Sequence, residues 1–230
     1  MTLDIATHKT ILFQFLKDIY SDSYISPFLG FKGGTAALMF YGLDRFSVDL
    51  DFDLLETLHE DDIFERVIRI GAEYGSLKET SKKRFSDFCM LSYDDRSRNV
   101  KIEINRRNFG SRYEIKTYLG VSMQVMVPGD MVAHKLMAMD ERMHQTSRDI
   151  YDVWFFLNKR FPINKKIIED RAHLPFDAFV KHCIEMVENM DNRRILDGLG
   201  ELLTPNQKDW ARAKLREDTI ALLKLRLSES

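Results

Sequence analysis

The sequence predicts an α+β protein: a mixed sheet flanked by helices, followed by a C-terminal helical region. Three observations carry this. Hydrophobes alternate with polar residues in Val48–Leu54 and again in Val100–Asn105, the two-residue period of half-buried strands. Further strand-like segments, 77–84, 87–93 and a hairpin over 113–127 turning near Gly120, lie around them, separated by polar turns such as Asp94–Ser97. From Pro128 onward the apolar spacing becomes helical, with Pro162, Pro175 and Pro205 as breakers. A change of pattern near Pro128 divides the chain into 1–127 and 128–230, as two domains or one packed unit.

In order, Ile11, Leu12, Phe15, Leu16 and Ile19 predict an amphipathic helix over 5–20 that Ser21-Asp22-Ser23 stops. A short strand over 27–32 delivers the chain to Gly33-Gly34, and a helix over 35–41 ends at Gly42. The acidic strand follows, then a helix over 60–74 with Ile63, Phe64, Val67, Ile68 and Ile70 inward. After Pro128, Val132, Leu136, Met139 and Met143 form a buried helical stripe, and Gln145-Thr146-Ser147 caps the next helix, which opens with Arg148-Asp149.

At 230 residues and 44% hydrophobic the chain can bury a sizeable core. With 34 basic and 36 acidic residues its net charge is -2, which excludes a globally basic nucleic-acid coat but not a local patch. Cys89 and Cys183 lack metal-ligand spacing and read as buried thiols. No signal pattern or membrane-length apolar run occurs, so a cytoplasmic protein is expected.

The organising stretch is Phe31–Leu54. Asp49, Asp51 and Asp53 share one strand face, roughly 7 Å from one to the next. Stacked carboxylates repel unless cations bridge them, and magnesium prefers such oxygens. The alternative for Asp49 and Asp51 is a solvated edge strand, and Asp53 at the strand end fits either reading. Gly33-Gly34-Thr35 lies between strand and helix, where glycines let a polyphosphate approach and helical N–H groups attract it. An isolated Gly-Gly more often serves turn geometry. Thirteen residues separate Thr35 from Asp49, enough for a helix and a return into the neighbouring strand. P-loop and dinucleotide-fingerprint spacings are absent.

Glu103 is the third candidate acid; paired with Lys101 or an arginine it would be an ordinary strand glutamate. Arg106-Arg107 reads as a solvated charge run or a phosphate contact. Lys135 leaves the border of an apolar helical stripe, where lysine usually snorkels to solvent, but it could reach inward to a triphosphate. His134 reads as a surface or helix-packing residue. Asp149 suits the dipole of a first helical turn, whereas Asp152 lies too far in for that.

These segments together, FKGGTAALMFYGLDRFSVDLDF, VKIEIN, and VPGDMVAHKLMAMDER followed by SRDIYDVWFF, resemble the AbiEii/AbiGii toxin family within the DNA polymerase β-like nucleotidyltransferases. The resemblance covers roughly residues 31–157 and implies a nucleotidyltransferase-like sheet domain over 1–127, with a helical domain over 128–230 completing the active site. It implies Asp49, Asp51 and Glu103 as magnesium (or manganese) ligands. Gly33, Gly34, Thr35, Ser47, Lys135, Arg148 and Asp149 are implied in nucleotide binding. Asp49, Asp51, Glu103, Lys135 and Asp152 are implied in catalysis. Thr35 replaces the serine of the wider superfamily, and Glu103 a commoner aspartate. The implied activity is transfer of a nucleoside monophosphate from a nucleoside triphosphate to an acceptor hydroxyl. A tRNA 3′ end is the expected acceptor, in a toxin–antitoxin or abortive-infection system with a cognate antitoxin. A nucleotide-binding module without turnover, or transfer to a small molecule or a protein hydroxyl, are the competing readings.

Overall fold

The computed structural model describes residues 5–93 and 99–229; the turn expected at Asp94–Ser97 lies outside them. The chain separates into two compact units, Met1–Gly42 with Ser47–Asn108 and Arg112–Met126, and Leu43–Phe46 with Phe109–Ser111 and Val127–Ser230. Among the described residues no helix is long and apolar enough to cross a membrane.

The first unit runs α1 (Ile5–Ser21), β1 (Leu29–Lys32), α2 (Gly33–Phe40), β2 (Leu50–Leu54), α3 (Glu60–Tyr74), β3 (Ser76–Lys82), β4 (Ser86–Ser92), β5 (Val100–Asn105), β6 (Tyr113–Tyr118) and β7 (Val121–Met126). The strands form one mixed sheet in the order β3-β4-β5-β2-β1-β7-β6. Strand β2, at its centre, runs antiparallel to β1 and parallel to β5. Leu50, Phe52, Ile102 and Ile104 point to one face and are fully or almost fully buried. Leu12, Phe15, Leu16 and Ile19 of α1 and Ile63, Phe64 and Val67 of α3 are buried too, with Tyr20 against Phe52 and Phe15 against Tyr74. Helix α3 carries Glu60, Asp61 and Asp62 in its first turn, where carboxylates complement the dipole.

Two expectations shift. Pro27 sits in a one-turn 3-10 helix, Ser26–Phe28, because its fixed φ suits a helical turn, so β1 begins only at Leu29. Strand β2 begins at Leu50, which leaves Ser47, Val48 and Asp49 as an approach outside the ladder. The β6–β7 hairpin turns on Leu119 and Gly120, both at positive φ, the two-residue geometry that matches strand twist.

The second unit contains α4 (Pro128–Arg142), α5 (Arg148–Asn158), α6 (Lys165–Ala172), α7 (Phe176–Asn189), α8 (Pro205–Trp210) and α9 (Arg216–Ser228), with a π-turn at Ala211–Leu215. Pro128 and Pro205 occupy first helical positions, where the missing N–H has no intrahelical partner to lose. Val132, Leu136 and Met139 of α4 are buried as their spacing predicts, together with Ile150, Val153 and Phe156 of α5. Trp154 and Trp210 stack with centroids 4.2 Å apart.

Candidate active site

In the first unit the register of β2 decides which acids meet. Asp51 stands opposite Glu103 on β5 and opposite Lys32 on β1. Asp51 is half-buried and Glu103 exposed, and among the described residues no ion pair joins Glu103 to Lys101 or an arginine. Gly33 opens α2 at φ +77, a conformation L side chains rarely adopt. A Cβ there would lie 2.7 Å from Asp51 Cγ and closer still to Oδ2, so the Asp51 carboxylate rests directly on the glycine. Gly34, one residue on, is buried.

Thr35 is fully buried in the first turn of α2. Its hydroxyl donates to the Asp49 carbonyl and lies 3.0 Å from Ser47 Oγ. His8 of α1 approaches the Val48 carbonyl at 3.0 Å through Nε2 and the Tyr93 hydroxyl at 2.7 Å through Nδ1. Thr35 and His8 thus hold the 47–49 approach to β2 and set where the half-buried Asp49 enters the site.

Asp53 is engaged differently. Its carboxylate takes Lys32 Nζ at 2.5 Å and Asn105 Nδ2 at 2.7 Å on one oxygen, and the Tyr113 hydroxyl on the other. Burial works to raise its pKa, but Lys32 beside it and these donors outweigh that and hold it below the ordinary carboxylate value. Gly30 is the counterpart of Gly33: a Cβ there would lie 2.6 Å from Tyr113 Cζ, so only hydrogen lets the ring reach Asp53.

Among the described residues no three His, Cys, Asp or Glu side chains are grouped so as to hold a metal ion by themselves. Asp51 and Glu103 nevertheless offer hard oxygens from adjacent strands, with Asp49 two residues before Asp51. That donor set fits magnesium bound as the ion favours, through one or two carboxylates with the other positions left to water and substrate phosphates.

The second unit gathers another set of charges. Asp152, fully buried in α5, receives Arg45 Nε at 2.5 Å and Nη2 at 2.7 Å, and Lys135 Nζ at 2.6 Å. Lys135 therefore points inward, not to solvent, and also lies 3.6 Å from Asp149, which Arg142 clamps at 2.8 and 2.9 Å. Burial opposes ionisation of Asp152, yet Arg45 and Lys135 overcome it and hold the carboxyl well below its usual range. Arg45 is itself buried, and Asp152 raises its pKa against the lowering effect of burial. The Arg45 Nη1 donates to Phe46 O at 2.9 Å, while the Tyr151 hydroxyl donates to Asp44 at 2.8 Å. Arg148 is the first residue of α5, and Thr146 Oγ1 accepts its amide at 3.2 Å. His134 packs on Phe109 and lies 2.7 Å from an Arg171 nitrogen, a packing residue as its position predicts.

Sequence reasoning missed Arg45, Lys32, Asn105 and Tyr113. Arg45 lies in a non-periodic turn, where nothing in the pattern shows that a cation is buried. The usable signal was a surplus: Asp152 inside an apolar helix needs a partner.

A family model described as nucleotidyl transferase AbiEii toxin, type IV TA system, matches residues 14–221. Among solved structures, a provisionally named nucleotidyltransferase from H. pylori superposes with a TM-score of 0.64 at 18% identity, over 100% of this chain and 97% of that one. JHP933 from Helicobacter pylori gives 0.63 at 19% identity, over 100% and 94%. No curated protein matches the chain. At such identities the two structures speak for the α+β fold; the family rests on the matched model. The chain belongs to the AbiEii nucleotidyl transferase toxins of type IV toxin–antitoxin systems.

Proposed function

We propose that the chain transfers a nucleoside monophosphate from a nucleoside triphosphate to the 3′ hydroxyl of an RNA, tRNA being the expected class, with the hydroxyl oxygen bonding the α-phosphorus as pyrophosphate leaves. It does so as a cytoplasmic toxin whose harm a cognate antitoxin limits. The observation that carries this reading is the Asp51–Glu103 register pair lying beside Gly33. A carboxylate pair next to a helix-opening glycine is what a triphosphate and its divalent cation require together. Asp49, Asp51 and Glu103 would hold magnesium, which when bound supplies charge neutralisation to the triphosphate oxygens.

The chain's own residues do the rest. Gly33 and Gly34 let the phosphates come close to the backbone at the start of α2. Thr35 and Ser47 keep that turn and Asp49 in register through their buried contact. Glu103, exposed on β5, is the base proposed to take the acceptor proton. For Lys135, Arg148, Asp149 and Asp152 the proposal is narrower: activity requires the buried charge set around Asp152 to be complete.

The test is incubation with each labelled triphosphate, magnesium and total RNA. Wild type should label RNA, and Asp51→Asn should lose at least roughly 100-fold of that rate. Unchanged labelling by Asp49→Asn or Asp51→Asn would sink the assignment of the acid pair to catalysis. Label on protein or a small molecule instead of RNA would move the acceptor to those classes.

A further inference from the structure

The β3–β4 turn carries a feature that the nucleotide site does not use. Phe85 at its tip is 45% exposed, a large aromatic held out in solvent. Cations surround it. Arg84 Cζ lies 4.8 Å and Arg107 Cζ 5.3 Å from the ring centroid, and Lys83 Nζ lies 4.2 Å from the centroid of Phe88. Lys83, Arg84 and Arg107 are all exposed, and neither Lys83 nor Arg84 has a carboxylate partner among the described residues. In a chain of net charge -2 this is a local concentration of positive charge.

The tip is also fixed in place. Lys83 N donates to Ser86 O at 2.8 Å, and Arg106 N donates to Phe85 O at 2.8 Å. The Arg106 guanidinium donates to Lys83 O and pairs with Glu60. Arg106 is thereby spent on holding the backbone, which leaves Lys83 and Arg84 to display charge, with the exposed Arg107 beside the ring. A flexible loop would lose ordering entropy on binding; this one has been ordered in advance.

The patch also joins the candidate site through the sheet. Phe88, which carries Lys83 on its ring, is the cross-strand partner of Glu103. Arg107 Nε donates to Asn105 Oδ1 at 3.0 Å, and Asn105 donates in turn to Asp53 at 2.7 Å.

We propose that Phe85, with Lys83, Arg84 and Arg107, forms a docking platform for single-stranded RNA, one base stacking on the ring and the flanking phosphates meeting the three cations. An exposed ring among cations matches a polyanion whose units carry a π-face, and a duplex hides those faces. This deepens the proposed transfer to RNA and rests on it for the identity of the strand as acceptor. The binding surface itself is testable alone.

The experiment measures fluorescence anisotropy of a 5′-labelled single-stranded RNA, and of a duplex of the same length, against the full chain without triphosphate. Wild type should prefer the single strand, and Phe85→Ala should weaken it by between about 5- and 150-fold, the range for loss of one stacked base. Phe85→Trp should restore binding. Removing Lys83 and Arg84 together should lower the log–log salt slope by about 0.7 per cation. Equal affinity for the duplex, no binding by wild type, or wild-type affinity in Phe85→Ala would overturn the platform. Sensitivity to the cations but not to Phe85 would reduce it to a general polyanion surface and also overturn it. Triphosphate binding and label transfer by wild type are measured separately. RNA binding through Phe85 without any transfer would leave the platform standing and remove the reaction.

Discussion

At the scale of single residues, Gly33 is constrained twice over. It combines φ +77 with a carboxylate occupying the place of its missing Cβ. Gly42 separates the two effects, because its φ of +73 is similar but nothing lies within 4 Å of a Cβ there. Alanine at either position should cost about 1–2 kcal/mol of stability from the left-handed backbone alone. Only Gly33→Ala should also displace Asp51, with a loss of transfer of roughly 100-fold. Thermal melts together with label-transfer rates on both variants check this; equal rates would mean that Asp51 need not sit where it does. Asp53 shows why spacing alone cannot assign roles. It has the same period as Asp51, yet Lys32, Asn105 and Tyr113 consume its oxygens. No one-dimensional pattern contains those partners, because they come from β1, β5 and β6.

At the scale of elements, the joint between α2 and β2 is where sequence and structure differ most usefully. Alternation predicted a strand from Val48, but ladder pairing starts at Leu50, and the preceding residues depend on side-chain tethers instead. Thr35→Val keeps the shape and strands the Asp49 carbonyl. It should cost about 1–3 kcal/mol and lower the transfer rate, while Thr35→Ser should retain both. Denaturant melts and initial rates distinguish this from a hydroxyl that only touches phosphate, whose removal would leave stability unchanged. Elsewhere periodicity sufficed. Helix α3 occupies 60–74 as predicted, and β4, β5 and the β6–β7 hairpin lie within a residue or two of their expected bounds. In α3 and β5 one face is buried and the other wet, so burial is written into the spacing. Lys135 breaks that rule: it borders an apolar stripe, and its inward direction is set by Asp152 on a different helix.

For the whole molecule, acid stability follows from the buried carboxylates. Asp152 and Asp53 both have folded pKa values below their unfolded ones. A depressed carboxylate contributes stability above its unfolded value near 3.9, and that contribution is lost as pH falls toward the folded value. The contribution of these two groups should therefore be level above about pH 5 and decline below about pH 4, opposed by Asp87, whose burial raises its pKa. Asp152→Asn should lower stability at neutral pH by roughly 3–5 kcal/mol, since it leaves Arg45 and Lys135 buried with less negative charge, and it should flatten the acid decline. Urea melts across that pH range read both effects, and an unchanged acid slope in the variant would show that Asp152 does not set it. The same cluster bears on how such a protein can change by descent. Arg45 and Lys135 face Asp149 and Asp152 where there is little water to absorb an error, with the more exposed Arg142 at the edge of the set. Replacing Arg45, Lys135 or Asp152 alone leaves a buried charge short of its partner, so paired exchanges at these positions should be tolerated better than single ones.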